Sequence, residues 1–256
     1  MKIKTTDGFV LDATFNEVPG SNKGVIFAHG ITVDKDDEGI FVRASTELQK
    51  HGISTLLFSF RGHGNSSGES TKDFTISGQL IDLQSAFDFM ESKGVTIFGL
   101  GGASFGGGAS ALYTGAHLDS IKALLLANPA LNYEQAFLKP TTSWSKKHFS
   151  NNEELLTKQG FVPIGSRAFK AGPKLFDEMR QFKPYESLEQ YKGPLLVVQG
   201  TEDSKIAYQD VESTITELSN PNKQLEIIQG SEHGFHDEPY ETQVTDMVVN
   251  FFKDNL

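Results

Sequence analysis

Short runs of β-branched and aliphatic residues alternate along this chain with longer segments in which apolar residues recur at helical spacing. This alternation is typical of a mostly parallel β-sheet that helices cover on both faces. Six runs are predicted to be parallel strands, and two N-terminal runs are predicted to form an antiparallel edge. The six are residues 25–28, 54–59, 95–100, 122–127, 195–199 and 224–228, and the two are residues 2–5 and 10–15. The sequence therefore predicts an α/β fold with an eight-stranded, mostly parallel sheet.

Two segments outside the predicted strands carry their large apolar side chains on one helical face. In the first these are Leu80, Leu83, Phe87 and Met90, and in the second they are Val244, Met247, Val248, Phe251 and Phe252. We interpret both stripes as the buried faces of helices that cover the sheet.

The segment 131–190 interrupts the alternation. It contains no strong strand pattern, and a structureless loop of that length is improbable in a compact domain. Its aromatic side chains could form a small core of their own: Tyr133, Phe137, Trp144, Phe149, Phe161, Phe169, Phe176 and Phe182. Its nine basic and seven acidic residues give a net charge of +2, against −12 for the rest of the chain. We predict that residues 131–190 form an inserted cap on a core made of residues 1–130 and 191–256.

Composition excludes several classes of function. The 256 residues carry a formal net charge of −10, opposite in sign to surfaces that bind nucleic-acid phosphates. The absence of cysteine excludes disulfides, thiolate metal sites and cysteine nucleophiles. No apolar run approaches the ~18 residues that span a bilayer, and residues 1–10 show no pattern of an export or import signal. We expect a cytoplasmic protein with no membrane span and no nucleic-acid partner.

A G-x-S-x-G motif, Gly102-Ala103-Ser104-Phe105-Gly106, lies where a predicted strand meets a predicted helix. At such a turn the serine is held in a strained conformation with its hydroxyl exposed, and the glycines let neighbouring backbone pass close by. The positive end of the following helix points toward the same place. In this context the motif predicts that Ser104 is a nucleophile.

A serine hydroxyl needs an adjacent base, normally a histidine that a carboxylate orients. His233 lies in a loop after the last predicted strand and is the first candidate for the base, with His236 as its main competitor. Asp203 follows another predicted strand and is preferred over Glu202 as the orienting acid.

Acyl transfer also needs two N–H donors for the negative oxygen that develops in its intermediate. Phe105, the residue after the nucleophile, would supply one donor, and we assign the other to Ile31 in the loop after the strand 25–28. His29, in the same loop, is interpreted as a structural residue. All these positions lie just past the ends of predicted strands, where ligands bind to open parallel sheets. The chain order Ser, Asp, His is also the order typical of this motif.

Five short segments spread over essentially the whole chain carry a family resemblance. They are His29-Gly30-Ile31-Thr32, Arg61-Gly62-His63-Gly64-Asn65-Ser66, the Ser104 motif, Gly200-Thr201-Glu202-Asp203 and His233-Gly234-Phe235. Together they resemble the α/β-hydrolase superfamily, and within it the small intracellular feruloyl (cinnamoyl) esterases and the related serine aminopeptidase and monoacylglycerol lipase group. The resemblance implies an α/β-hydrolase fold with Ser104 as nucleophile, His233 as base and Asp203 as its orienting acid. It also implies that the amides of Ile31 and Phe105 are the oxyanion donors and that the cap selects the acyl group.

Two features depart from the family pattern. Ala103 stands where relatives usually carry histidine or another polar residue, and the loop after Ile31 continues into an acidic run at 33–38. The acidic run could hold a divalent cation, but carboxylates before a helix commonly just solvate the surface. We expect no metal site.

The sequence predicts a carboxylic-ester hydrolase that works through an acyl-enzyme, without a cofactor, on small or aromatic acyl esters such as a hydroxycinnamate. Thr32, Trp144 and Phe169 are the predicted substrate contacts, although the aromatic rings of the cap could equally serve only to hold it together.

Other activities stay open at this stage. The alternatives are a monoacylglycerol lipase, a thioesterase, a serine aminopeptidase, or a protein of this fold that only binds a small ligand. An aminopeptidase would need a carboxylate to receive the substrate amine, and the cap offers Glu134, Glu153, Glu154, Asp177 and Glu178.

Overall fold

The computed structural model describes residues 1–165 and 169–256, and this described part is built around one eight-stranded sheet. In chain order the strands are β1 (Lys2–Lys4), β2 (Val10–Asn16), β3 (Lys23–Ala28), β4 (Ser54–Phe58), β5 (Ile97–Ala103), β6 (Ile121–Ala127), β7 (Val162–Ile164), β8 (Phe169–Ala171), β9 (Leu195–Gly200) and β10 (Lys223–Ile228). The sheet has the order β1-β2-β4-β3-β5-β6-β9-β10, and β7 and β8 form a separate hairpin. β2 pairs antiparallel with both β1 and β4, and the other neighbours in the sheet are parallel. The predicted eight-stranded, mostly parallel sheet with an antiparallel edge is confirmed.

Helices cover both faces of the sheet. They are α1 (Gly39–Lys50), α2 (Ile76–Ser92), α3 (Ser104–Ala116), α4 (Ser143–Phe149), α5 (Asn152–Gln159), α6 (Pro173–Gln181), α7 (Pro184–Ser187), α8 (Tyr208–Glu217) and α9 (Tyr240–Asn255), with a π-helical turn at Glu134–Leu138. Side chains of α1 and α9 share one apolar core, and those of α2, α3 and α8 share the other. Within the described residues, no helix is both long enough and apolar enough to cross a bilayer.

The two predicted helical stripes face these two cores. Leu83, Phe87 and Met90 of α2 are buried beneath one face of the sheet, and Leu80 packs against them from the edge. The stripe of α9 is buried on the opposite face, with Met247 at its margin. Both stripes are therefore confirmed as the packing faces of covering helices.

The central strand β5 ends three residues later than predicted. Glycine is unfavourable inside most strands, yet Gly101 and Gly102 belong to β5. Gly99 and Gly101 make room for rings from the α1–α9 face. A Cβ added at Gly101 would stand 2.6 Å from the ring of Phe27, and one at Gly99 would stand 2.7 Å from the ring of Phe252.

The predicted cap segment, residues 131–190, leaves the sheet after β6 and returns to it at β9. It contains the π-helical turn, α4 to α7 and the β7–β8 hairpin, whose two short strands the sequence did not indicate. Strands of three residues are too short to show an alternating pattern. The backbone amide and the hydroxyl of Ser77 donate hydrogen bonds to the Glu178 carboxylate at 2.8 and 2.7 Å. These bonds attach α6 of the cap segment to the start of α2.

Candidate active site

Ser104 stands at the junction of β5 and α3, where the sequence motif places it. Its φ of 51° lies in the left-handed region, which non-glycine residues rarely adopt. A Cβ added at Gly106 would collide with the carbonyl oxygens of His29 and Ala28, the latter at 2.6 Å. A Cβ at Gly102 would stand 2.7 Å from the carbonyl oxygen of Gly106. The glycines of the motif therefore allow this turn to pack directly against the end of β3.

A continuous chain of hydrogen bonds joins the three predicted site side chains. Ser104 Oγ lies 3.0 Å from His233 Nε2. On the other side of the ring, Nδ1 of His233 lies 2.8 Å from Oδ2 and 2.9 Å from Oδ1 of Asp203. Because an ionised carboxylate can only accept, Nδ1 carries the proton and Nε2 faces the Ser104 hydroxyl as an acceptor. This is the geometry in which an imidazole can remove a proton from a serine.

Asp203 is held as a carboxylate by several donors. Its Oδ1 accepts hydrogen bonds from the Lys205 and Ile206 amides, each at 2.9 Å, and Oδ2 accepts one from Gln199 Nε2 at 3.0 Å. Burial alone would raise the pKa of this carboxyl, but His233 and the two amides lower the pKa overall. Asp203 therefore stays ionised and keeps His233 in one orientation. Glu202, the alternative acid, is exposed and its carboxylate does not reach the ring of His233.

The loop after β3 is fixed on both sides of Gly30. His29 Nε2 accepts a hydrogen bond from the Phe60 amide at 2.9 Å, so the ring proton is on Nδ1, which donates to the Gly30 carbonyl at 2.7 Å. The Gly30 amide in turn donates to Glu38 Oε1 at 2.9 Å. His29 thus serves as a structural residue of this loop.

Two backbone amides near Ser104 are the predicted oxyanion donors. Within the described part of the chain, the Ile31 amide has no acceptor. Phe105 is the second residue of α3, so its amide has no partner inside the helix. Gly30, Ile31 and Ser104 line the same cleft. The arrangement is suited to binding a negative oxygen close to the Ser104 hydroxyl.

A cluster of buried rings lies behind this loop. His63 stacks on Phe169 of β8 with a centroid distance of 4.5 Å, and it meets Phe74 edge-on at 4.5 Å and His29 at 5.0 Å. Burial lowers the pKa of His29 to about 4 and lowers the pKa of His63 well below its usual value. Both rings are therefore neutral at neutral pH.

The cleft above Ser104 opens to solvent. Thr32 and Trp144 line it, as predicted, and Phe137 does so as well. Phe169 does not line the cleft, because its ring is occupied by the stack on His63. A substrate contact at Phe169 stays a prediction.

His236, the alternative base, lies at the exposed rim of the same cleft. Of the two histidines in this loop, His233 is the one whose ring reaches both Ser104 and Asp203.

Three polar residues of the cleft were not anticipated from the sequence: Glu38, Asn128 and Lys205. Glu38 is 7% exposed, and a Cβ added at Gly30 would stand 3.2 Å from its Oε1 and 3.0 Å from the Cβ of Ser104.

Asn128 accepts a hydrogen bond from the Gly200 amide at 2.9 Å, which leaves its buried Nδ2 without a partner among the described residues. Asn128 directly follows β6, and that position was the available signal. Glu38 was hidden inside an acidic run that resembled a solvated surface.

The carboxylates proposed for an aminopeptidase lie elsewhere. None of the five acidic residues named from the cap segment lines the cleft above Ser104 in the described structure. Glu178 accepts from Ser77, and Glu134 pairs with Lys139 at 2.6 Å on the surface.

The acidic run at 33–38 makes local loop contacts. Asp34 accepts from the Asp36 amide at 3.0 Å, the Asp34 amide donates to Asp37 at 3.0 Å, and Asp36 pairs with Lys35 at 2.6 Å. Among residues 1–165 and 169–256, no three His, Asp or Glu side chains converge in a group that could hold a metal ion.

The sheet order, the strained serine after β5 and the loop positions of Asp203 and His233 define the class of protein: the chain has the α/β-hydrolase fold. Residues 20–240 match the family of serine aminopeptidases, S33. The chain belongs to this family.

Several solved structures share the fold over almost the whole chain. Est1E from Butyrivibrio proteoclasticus, solved with bound ferulic acid, is 22% identical with a TM-score of 0.83, and the match covers 100% of this chain and 98% of Est1E. A monoacylglycerol lipase from Paleococcus ferrophilus is 18% identical with a TM-score of 0.76, covering 96% and 99% of the two chains. The Pyrococcus furiosus esterase PF2001 is 21% identical with a TM-score of 0.72, covering 100% and 89%. No curated protein matches the sequence significantly.

Proposed function

We propose that this protein is a serine hydrolase that cleaves carboxylic esters through a covalent acyl-enzyme. The observation that carries the proposal is the hydrogen-bond chain from Ser104 through His233 to Asp203, at 3.0 and 2.8 Å. Membership in a family of serine hydrolases supports the proposal, and so do the two amides beside Ser104.

In the first half of the reaction, Ser104 Oγ attacks the ester carbonyl while His233 Nε2 takes its proton. The carbonyl oxygen becomes negative and accepts hydrogen bonds from the amides of Ile31 and Phe105. Asp203 stabilises the imidazolium cation and keeps Nδ1 protonated. The protonated ring then gives its proton to the leaving alcohol, and the acyl group stays on Ser104.

In the second half, water replaces the alcohol. His233 removes a proton from the water as it attacks the acyl carbonyl, and the same amides stabilise the oxygen. Collapse of the intermediate returns the proton to Ser104 and releases the carboxylic acid. The cycle needs no cofactor, since all proton transfers pass through one ring.

The substrate class we propose is a small or aromatic acyl ester. Trp144 and Phe137 present apolar surface to the cleft, and a flat acyl group can stack on such rings. Other rings of the cap segment, such as Phe149 and Phe176, are buried in the packing between its helices. The aromatic residues therefore divide between holding the segment together and lining the cleft. The ferulic acid bound to Est1E fits this proposal.

The decisive test is Ser104→Ala. We expect turnover of p-nitrophenyl acetate to fall about 10⁴-fold to 10⁶-fold while the folded structure is kept. Ser110→Ala is the matched control, because Ser110 lies on the same helix and its buried hydroxyl has no partner among the described residues. A fluorophosphonate probe should label wild type and the control, and mass spectrometry should place the adduct on Ser104. Activity of Ser104→Ala above a hundredth of wild type would refute the proposal. Absence of an adduct would favour a protein that only binds its ligand.

Glu38 supports a second candidate, serine aminopeptidase activity. It is the acidic residue among the described lining of the cleft, and a carboxylate near the nucleophile could receive a substrate ammonium group. Relative rates on methyl ferulate, a monoacylglycerol, an acyl thioester and an amino-acid p-nitroanilide separate the candidates. Preference for the anilide, lost in Glu38→Gln, would replace the esterase proposal.

A further inference from the structure

A second cleft opens beside the cleft above Ser104. Trp144 and Lys205 line both, so the two form one continuous surface that leads from Ser104 to the cap segment. Lys147 and His148 of α4 complete the outer end. We call this outer end the basic pocket, defined by Trp144, Lys147, His148 and Lys205.

The basic pocket concentrates positive charge in a protein whose net charge is −10. No acidic residue is found among its described lining residues. In the described part of the chain, neither Lys147 nor Lys205 has a carboxylate within the 4.0 Å of an ion pair. In contrast, Lys139 and Lys158 on the surface of the same segment each pair with a glutamate. The two ammonium groups of the pocket are therefore available to an anionic ligand.

Hydrogen bonds hold the two sides of the pocket together. The carbonyl oxygen of Lys205 accepts from Ser145 Oγ at 2.9 Å and from Thr142 Oγ1 at 3.4 Å, which attaches the loop after β9 to α4. Lys205 Nζ lies 5.5 Å from the centroid of the Trp144 ring, and the ring of His148 lies 4.4 Å from the same indole. Burial, Lys147 and Lys205 lower the pKa of His148, which agrees with the convergence of these cations.

The opposite end of the surface is acidic. Glu38 lies beside Gly30 and Ser104, so an anionic group would be repelled there and attracted at the basic pocket. The charge difference would orient a substrate, with its anionic group directed away from the reacting carbonyl.

We propose that the ester substrates of this protein carry an anionic group, a carboxylate, that binds in the basic pocket between Lys147 and Lys205. This inference rests on the proposed esterase function and specifies its substrate class. The carboxylate can belong to the acyl part or to the alcohol part of the ester, and the two placements are distinguished by experiment.

Two matched pairs of substrates test the inference. The first pair is mono-p-nitrophenyl adipate and its methyl ester, which differ in a carboxylate on the acyl part. The second pair is 4-acetoxybenzoate and its methyl ester, which differ in a carboxylate on the alcohol part. After subtraction of uncatalysed hydrolysis, we expect at least one anionic member to have a kcat/KM about fivefold to tenfold above its neutral twin at low salt. The preference should shrink as ionic strength rises.

The charge-removing variants are Lys147→Gln and the double variant with Lys205→Gln. In these variants the ratio of kcat/KM for the anionic substrate to kcat/KM for its neutral twin should fall toward one. A change in activity that is common to both substrates cancels in this ratio. Lys146→Gln is the matched control, because Lys146 is an exposed neighbour on α4 outside both clefts, and it should keep the wild-type ratio.

Three outcomes would overturn the inference. If neutral twins are hydrolysed and no pair shows a preference, the anionic substrate class is wrong while the esterase function stands. If the preference survives in the double variant, the basic pocket is not its source. If no ester is hydrolysed and the probe leaves Ser104 unlabelled, the proposed function and this inference fail together.

Discussion

His233 and the pair His29 and His63 lie near the same edge of the sheet, yet their surroundings differ in kind. The ring of His233 joins a hydroxyl to a carboxylate. The ring of His29 joins two backbone groups, the Phe60 amide and the Gly30 carbonyl, and His63 donates to the Arg61 carbonyl at 3.2 Å. An imidazole between a hydroxyl and a carboxylate is suited to moving a proton, whereas one between peptide groups supports the backbone. The hydrogen-bond partners of each ring therefore distinguish the proposed catalytic histidine from the structural ones, although the residue type is the same.

The strongest test of this comparison removes the carboxylate from His233. Asp203→Asn should lower turnover by about 10⁴-fold, because an amide in place of the carboxylate favours the wrong ring tautomer. Glu202→Gln removes the alternative acid next to it and should change turnover by less than about twofold. Both are measured as kcat on a p-nitrophenyl ester. Equal losses in the two variants would show that the ring of His233 does not depend on Asp203.

A smaller effect is expected when the supporting histidine is removed. His29→Ala deletes the donor to the Gly30 carbonyl and the acceptor of the Phe60 amide, so the loop that carries the Ile31 amide loses its position. We expect kcat to fall by about 10²-fold with little change in KM, because the oxyanion forms in the transition state and the intermediate and is absent from the bound substrate. His117→Ala, which removes a histidine bonded to the Tyr113 carbonyl on α3, is the control. A loss confined to KM or to thermal stability would contradict a positioning role for His29.

The smallest effect concerns stability against acid. Burial keeps His29 neutral with a pKa of about 4, and the pKa of His63 is lowered well below its usual value, whereas in the unfolded chain both titrate near 6.5. Below pH ~6.5 the unfolded chain binds more protons, so stability is full above that pH and decreases as pH falls toward 4. Each histidine contributes up to about 1.4 kcal/mol per pH unit in this window.

His63→Phe keeps a ring against Phe169 and removes one of the two titrating groups. The free energy of unfolding, measured by urea denaturation between pH 7 and pH 5, should decrease less steeply in this variant than in wild type. His51→Gln, at an exposed position after α1, should follow the wild-type slope. If the free energy of unfolding of His63→Phe has the wild-type dependence on pH, then the His63 ring of the folded wild-type protein takes up its proton between pH 7 and pH 5 as it does in the unfolded chain.

Much of the fold and of the candidate site could be read from local patterns. The alternation of strands and helices predicted the eight-stranded sheet, and the glycine-flanked serine predicted the turn at Ser104. What local patterns missed depends on packing. β5 continues through Gly101 because the ring of Phe27 fills the space of the missing side chain. The hairpin β7–β8 has strands too short to show a period, and Phe169 turned toward His63 rather than the cleft.

The sequence by itself determined the order of the elements and the residues available at the ends of the strands, because periodicity and turn chemistry act over a few neighbouring residues. The tertiary structure decided which of these side chains meet. Ser104 and His233 are 129 residues apart along the chain, and their distance depends on every helix and strand packed between them. The same holds for Glu38 in the cleft above Ser104 and for Lys147 and Lys205 in the basic pocket. No local pattern reports such encounters, since they arise from the packing of distant segments against one sheet.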